Sequence, residues 1–342
     1  MDKALLLYTM TGGLGDLVVM GDLVLKIERQ HPGVRCLLVH RGNPHVHLWD
    51  ADNAGERFFN VYRPGEMFHL IRTLGTFGLR GYRRLGLQMA PGSLQGYALH
   101  RLLQRMGRID YVVDFNLINA DIITPRRGEY ILDIHLNQAA ELLGTEFAPE
   151  SSVLSIPFGV PAEVRKSAVS VPRVGIHPWS RRGSFRDFVW PLECWTEVVE
   201  QLVENGVEVV LFGKDVQFYE LQRHLEAKRR GKGGMFFGSP SASVPELIAT
   251  MGTLDLLVTV NTAVVHLGLA LNKPMVILNG PSLPLWTPRG SSVLVVGDDD
   301  ALFPGNDRPM DNALFPSIHR IPLERVLTAI DSQLARHTAY QA

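Results

Sequence analysis

Residues 256–281 read LLVTVNTAVVHLGLALNKPMVILNGP, and few architectures accommodate that order. Residues 256–260 are a largely apolar run of strand length, which predicts a strand buried on both faces. Asn261 and Thr262 follow at once, and both are residue types that cap a helix. Residues 263–271 are apolar nearly all round, Asn272 breaks them, and residues 274–278 predict a second buried strand. Strand, turn, helix, strand is the unit of a parallel α/β sheet. Its first helical turn offers unpaired backbone N–H groups, the Thr262 hydroxyl and, one turn on, the His266 imidazole. Such a helix start suits an anion, a diphosphate above all. The same residues also fit a plain cap followed by a core histidine, so the rest of the chain has to decide.

At 342 residues the chain exceeds one ordinary core, and two domains are expected. With 46% hydrophobic and 20% charged residues it is globular, and a net charge of −1 supplies no global field for nucleic acid. Cys36 and Cys194 form no CxxC pair, which argues against a disulfide framework or a zinc cage and suits a reducing cytoplasm. No run reaches the ~18 apolar residues of a membrane span. The start, MDKALLLYTMTGG, reads as a first strand rather than a signal peptide.

That first strand, residues 4–9, runs into Gly12-Gly13-Leu14-Gly15-Asp16, then a helical pattern over 17–27 and a strand over 36–39. A doubly wound sheet opens in this way. Short strands at 111–115 and 122–123 and a helix over 131–143, stopped by Gly144, continue the series. Residues 161–173 have linker composition. A second α/β series then runs through strands at 174–177, 207–212 and 235–237 and helices at 191–206, 216–228 and 245–251. Beyond residues 256–278, Asp298 to Pro316 read as an exposed loop rich in Pro, Gly and Asn, and a last helix over 323–336 is able to cross back onto the first domain. The fold class is therefore α/β: two Rossmann-like, doubly wound parallel-sheet domains facing across a cleft. The expected division is 1–160, a 161–173 linker, 174–325, and a C-terminal helix within 326–342.

The glycine turn is a weak dinucleotide signal, because Val18 stands at the third glycine and the second strand ends in His40-Arg41 rather than an acid. Gly13 and Gly15 still imply a close approach to backbone. Asp16 reads either as a carboxylate favoured by the helix dipole or as a general base, and the helix terminus predicts a lowered pKa. In the second series, His177-Pro-Trp-Ser180-Arg181-Arg182 and Arg186 follow a strand, where guanidinium groups suit phosphate oxygens. Between Arg63 and Arg108 arginines accumulate against one acid, Glu66, with Phe, Leu and Tyr interleaved. This stretch, with Arg80, Arg83 and Arg84, suggests an anionic acceptor or peripheral contact with a membrane surface. Asp298 to Asp300 have no histidine or helix beside them and read as solvated, so no metal site is expected.

Three blocks together resemble glycosyltransferase family 9, the heptosyltransferases of GT-B fold: Gly-Gly-Leu-Gly-Asp16-Leu; Gly175-Ile-His-Pro with Trp190-Pro-Leu-Glu-x-Trp195 and Val209-Val-Leu-Phe-Gly213; and Val258-Thr-Val-Asn-Thr-Ala-x-x-His266 to Pro274. The resemblance implies inverting, metal-independent transfer of a heptose or related sugar from a nucleoside diphosphate sugar, ADP-linked in particular. The acceptor would be a glycan, glycolipid or small molecule, as in lipopolysaccharide biosynthesis, and no cofactor is implied. By the family pattern Asp16 is the catalytic base. Ser180, Arg181, Arg182, Arg186, Asn261, Thr262, Ala263 and His266 hold the diphosphate and sugar, and Gly213, Gln217, Ala242 and Ser243 lie near the nucleoside. Gly13, Gly15, Arg80, Arg83 and Arg84 fall on the acceptor side. The chain departs from the pattern with Asn261 for an aspartate, Ala263 for a glycine, and Phe188-Val189 where a lysine is usual, which points to altered donor recognition. The alternatives are an epimerase or hydrolase on the same fold, or a non-catalytic nucleotide-sugar-binding protein.

Overall fold

The computed structural model describes residues 3–10, 13–49, 57–88, 94–114, 130–148, 153–157, 171–179, 189–213, 216–228, 236–240, 243–280, 286–288, 290–297 and 317–341. The chain divides into two compact units, Met1–Phe158 and Gly159–Ala342.

The first unit runs β1 (Ala4–Met10), α1 (Leu14–Gln30), β2 (Val34–His40), β3 (Phe58–Asn60), α2 (Pro64–Leu79), β4 (Arg83–Gln88), α3 (Leu94–Arg105), β5 (Tyr111–Asp114) and α4 (Ile131–Leu143). Its strands lie in the order β3-β2-β1-β4-β5, and every pair is parallel. All seven residues of β1 are buried, as expected of a central strand covered on both faces. Leu70 and Leu74 of α2 and Leu103 of α3 share one core with Leu5, Leu7, Leu37 and Val39, so both helices cover the same face of the sheet. The helix α1 packs on β1, β2 and α4. Gly144 ends α4 in the left-handed region, φ 59°, as its place in the sequence suggests. Within α1, Asp22 and Lys26 form a buried ion pair. Lys26 also donates to the Val153 carbonyl, and Asp22 accepts from the Ser155 amide at 3.0 Å and hydroxyl at 2.5 Å. With each charge so satisfied, the pair pins residues 153–155 onto α1.

The second unit runs β6 (Arg173–His177), α5 (Leu192–Glu204), β7 (Glu208–Gly213), α6 (Val216–Lys228), β8 (Phe236–Pro240), α7 (Val244–Gly252), β9 (Leu256–Val260), α8 (Ala263–Ala270), β10 (Met275–Leu278), β11 (Val293–Val296) and α9 (Leu323–Gln341). The strand order is β11-β10-β9-β6-β7-β8, again parallel throughout. Val326 and Ile330 belong to the core of the second unit, and α9 packs on β9, β10, β11 and α5. The apolar faces of α5 recur at Trp195, Val198, Val199 and Leu202, the helical i, i+3, i+4, i+7 spacing.

In each sheet the strand order reverses once, between β1 and β4 in the first and between β9 and β6 in the second. At such a reversal the connections leave the carboxyl edge in opposite directions and open a crevice for ligands. The glycine turn leaves the first of these points and the Asn261 turn the second.

Trp190 and Trp195 stack edge to face at 4.8 Å, and the Trp190 indole donates to the Ile321 carbonyl at 2.9 Å, tying the approach to α9 onto α5. Trp190→Phe keeps the ring but leaves that carbonyl unpaired, with an expected loss of about 1–3 kcal/mol. Trp190→Ala adds a cavity and should cost about 3–5 kcal/mol. Urea unfolding midpoints measure both, and a Phe variant as stable as the parent removes the hydrogen bond from the account.

Candidate functional site

In the first unit the chain leaves β1 at Met10 and enters α1 at Leu14. The turn is braced from the neighbouring strand. Asn43, buried just beyond β2, donates its side-chain amide to the Gly13 carbonyl at 3.0 Å, while its own N–H donates to His40 Nδ1 at 2.9 Å. This brace was not anticipated, although a Gly42-Asn43-Pro44 turn at the end of the adjacent strand was its signal. Gly15 and Asp16 lie in the first turn of α1, half-buried.

The Asp16 carboxylate departs from the expectation of a lowered pKa. Burial raises it to about 6, and the opposing pull of the backbone N–H groups of Asp16 and Gly13 does not offset this. The helix terminus acts in the direction the sequence suggested, but removal of water costs the anion more. The result is a carboxylate ionised at neutral pH yet basic enough to accept a proton.

Arg80, Arg83 and Arg84 are not brought to this edge. Arg83 pairs with Ala4 and Arg84 with Leu5 in the sheet register, at the amino end of β1, whereas Gly13 and Asp16 follow its carboxyl end. Six residues of strand, about 20 Å, separate the two ends. Arg84 pairs with Asp110 at 3.3 Å and Arg83 reaches the Leu142 carbonyl at 3.4 Å.

In the second unit the register pairs His177 of β6 with Thr259 of β9. Residues 178–179 and Asn261-Thr262 therefore emerge side by side at the carboxyl edge. Thr259 donates its hydroxyl to the His177 carbonyl at 3.0 Å, which locks the two strand ends together. Thr262 caps α8, its hydroxyl accepting from Val264 N–H at 3.4 Å and its carbonyl from Val265 N–H at 3.0 Å. The N–H of Ala263 carries no hydrogen bond among the described residues, so the helix start keeps a donor.

Asn261 is fixed by its own amide, which donates to Asn279 Oδ1 at 3.0 Å and Thr287 Oγ1 at 2.8 Å. Both partners lie beyond β10, so the amide ties this turn to the segment that follows that strand. His266 is buried against the edge of Trp286, ring centres 5.8 Å apart, and burial lowers its pKa to about 4. It is uncharged at neutral pH and offers an anion a dipole rather than a cation.

Gly213 ends β7 at φ 149°, with the Trp179 indole 3.2 Å from where a Cβ would stand. The backbone angle would strain any side chain here, and the Trp179 ring leaves a Cβ little room. Among the described residues, the buried indole N–H of Trp179 has no hydrogen-bond partner. Ser243 caps α7 by accepting from Glu246 N–H at 3.3 Å, so its hydroxyl is engaged in the helix. Gln217 lies in the first turn of α6, but its side chain, like Ser180, Arg181, Arg182, Arg186, Phe188, Ala242 and Asp298 to Asp300, lies outside the described residues. Among the described residues no cluster of three His, Cys, Asp or Glu forms, and no helix is long and apolar enough to cross a membrane.

The model of glycosyltransferase family 9 (heptosyltransferase) matches residues 120–300, just over half of the chain. Lipopolysaccharide heptosyltransferase 2 of Escherichia coli (strain K12) is 29% identical over 120 residues, 34% of this chain and 33% of that protein. The similarity thus spans about a third of the length of that curated relative. Among solved structures, the family 9 glycosyltransferase from Veillonella parvula superimposes with a TM-score of 0.66 at 17% identity, covering 98% of both chains. The E. coli ADP-heptose lps heptosyltransferase II gives 0.61 at 15% identity, over 98% of this chain and 99% of that one. At such identities these two structures establish the shared two-domain fold.

Four histidines, His100, His135 and His266 in the core and the partly buried His177, each have a pKa lowered to about 4 by loss of water around the ring. Unfolded, each takes up a proton near pH 6.5; folded, none does until about 4. Their contribution to stability is whole above pH 6.5 and is lost as the pH falls toward 4. Asp16, raised to about 6, acts in the opposite sense, one group against four. The thermal midpoint should therefore be level from pH 8 to 6.5 and drop steeply by pH 5. A midpoint unchanged at pH 5 contradicts the assignment of neutral, buried rings.

Proposed function

Because the chain belongs to glycosyltransferase family 9, we propose that it transfers a sugar from a nucleoside diphosphate donor with inversion at the anomeric carbon. The second unit holds the donor. The diphosphate rests on the start of α8, against the Ala263 N–H and the Thr262 cap, with the arginines of residues 181–186 supplying charge. The nucleoside end extends toward Gly213, whose missing side chain leaves the backbone open. An ADP-linked heptose or a close relative is the donor class, by kinship with the E. coli ADP-heptose enzyme. The acceptor belongs to the glycan or glycolipid class, and the reading extends to work at a membrane surface.

The observation that carries this reading is Asp16, a carboxylate at the switch point of the first sheet whose pKa stands near 6. In the proposed step Asp16 takes the proton of an acceptor hydroxyl. The oxygen bonds to the anomeric carbon as the bond to the diphosphate breaks, and the nucleoside diphosphate leaves with the electron pair. Donors aimed at the leaving oxygens stabilise the charge that develops there. Asn261 contributes a neutral amide beside the diphosphate, where a carboxylate would repel it.

Asp16→Asn should lower transfer by about 10²- to 10⁴-fold while ADP binding, read by calorimetry, stays within a factor of about two. The carboxylate must be ionised to act, so the native rate should fall tenfold per pH unit below about 6 and level off above it. An Asn variant that turns over like the parent assigns the base elsewhere.

A further inference from the structure

The acid-poor stretch between Arg63 and Arg108 takes no part in the donor site, and the structure resolves it into a surface. No Asp or Glu occurs between Glu66 and Asp110, so beyond the first turn of α2 neither α2 nor α3 carries an acid. The two acids that bound the stretch are engaged, Glu66 with Arg63 at 3.0 Å and Asp110 with Arg84 at 3.3 Å. Arg72, Arg80 and Arg105 are exposed and have no ion pair among the described residues.

Large apolar side chains gather on the same helices. Of the eight exposed large hydrophobics among the described residues, six fall between Tyr62 and Tyr111. Phe68 is 72% and Leu79 93% exposed on α2, and Leu102 is 55% and Met106 48% exposed on or just after α3. Phe68, Arg72 and Leu79 follow helical spacing along one stripe about 16 Å long. Leu102 and Met106 lie four residues apart beside Arg101 and Arg105. Because α2 and α3 cover one face of the sheet through a common core, their outer surfaces point the same way.

We propose that this outer face of α2 and α3 docks on an anionic phospholipid bilayer. Scattered exposed apolar residues are ordinary on a soluble protein, but here they coincide with a stretch that is cationic and, among the described residues, free of unpaired acid. That pairing matches the two requirements of an interfacial helix surface: side chains that enter the acyl boundary, and cations that meet phosphate headgroups. The long arginine side chains span both zones, with the stem against apolar surface and the guanidinium in the headgroup layer. A second copy of this chain fits less well, because apposing two such faces sets arginine against arginine.

The test is sedimentation of the full chain with phosphatidylcholine vesicles, with and without phosphatidylglycerol. The parent should bind the anionic vesicles, leave the neutral ones in the supernatant, and be released by high salt. Phe68→Ser with Leu79→Ser, and separately Arg72→Glu with Arg105→Glu, should each weaken binding by at least about tenfold. Neither pair supports the core, so thermal midpoints should match the parent, and any ADP-induced thermal shift should be the same in all three proteins. Equal binding to neutral and anionic vesicles overturns the proposal, as does parent-like binding by both double variants. So does a dimer in sedimentation velocity that dissociates in the Phe68→Ser, Leu79→Ser protein. A missing ADP shift bears on the donor site alone.

Discussion

The pairing of β6 with β9 is the contact on which the proposed donor edge depends. Its register sets His177 opposite Thr259, and the Thr259 hydroxyl closes the pair onto the His177 carbonyl. Two turns far apart in the chain thereby become neighbours, one carrying Trp179 and the other Asn261 and Thr262. Because side chains alternate along a strand, a slip of one residue would present the opposite set. The fully buried β9 resists such a slip, since both of its faces are already committed to core. The site's precision is thus inherited from sheet packing rather than from the loops themselves.

Much of this was legible in the sequence, for reasons that can be named. The strands β1, β7, β9 and β10 are short, largely apolar runs rich in Val and Leu and closed by turn residues, the pattern of strands buried on both faces. Thr262 and Gly144 announced the ends of their helices by residue type. The region from β3 to α3 did not read in the same way. Three residues of β3 are too few for a pattern, and β4 opens with Arg83-Arg84, which masks the strand behind charge. Those arginines stand where the strand enters the sheet from solvent, Arg84 folding across Gly78 to reach Asp110. The short β11, bounded by Ser and Gly, was not anticipated.

The site shows where local sequence stops informing. A helix dipole is visible in one dimension, but depth is not, so the sign of the Asp16 shift depended on burial that only tertiary structure supplies. The same holds for His266, a plausible cation in sequence and a neutral ring once covered by Trp286. Asn43 lies thirty residues from the glycine it braces, and only the parallel pairing of β1 with β2 brings the two together.

The amide at position 261 has a wider consequence when taken with the neutral rings around it. Asn261 cannot titrate, and His177 and His266 keep their uncharged form until the medium is strongly acidic. Among the described side chains at this edge, electrostatic character is constant over the whole physiological range. A change of acidity in the cell would reach the proposed diphosphate end of the molecule as silence, and would be heard at the aspartate of the other sheet.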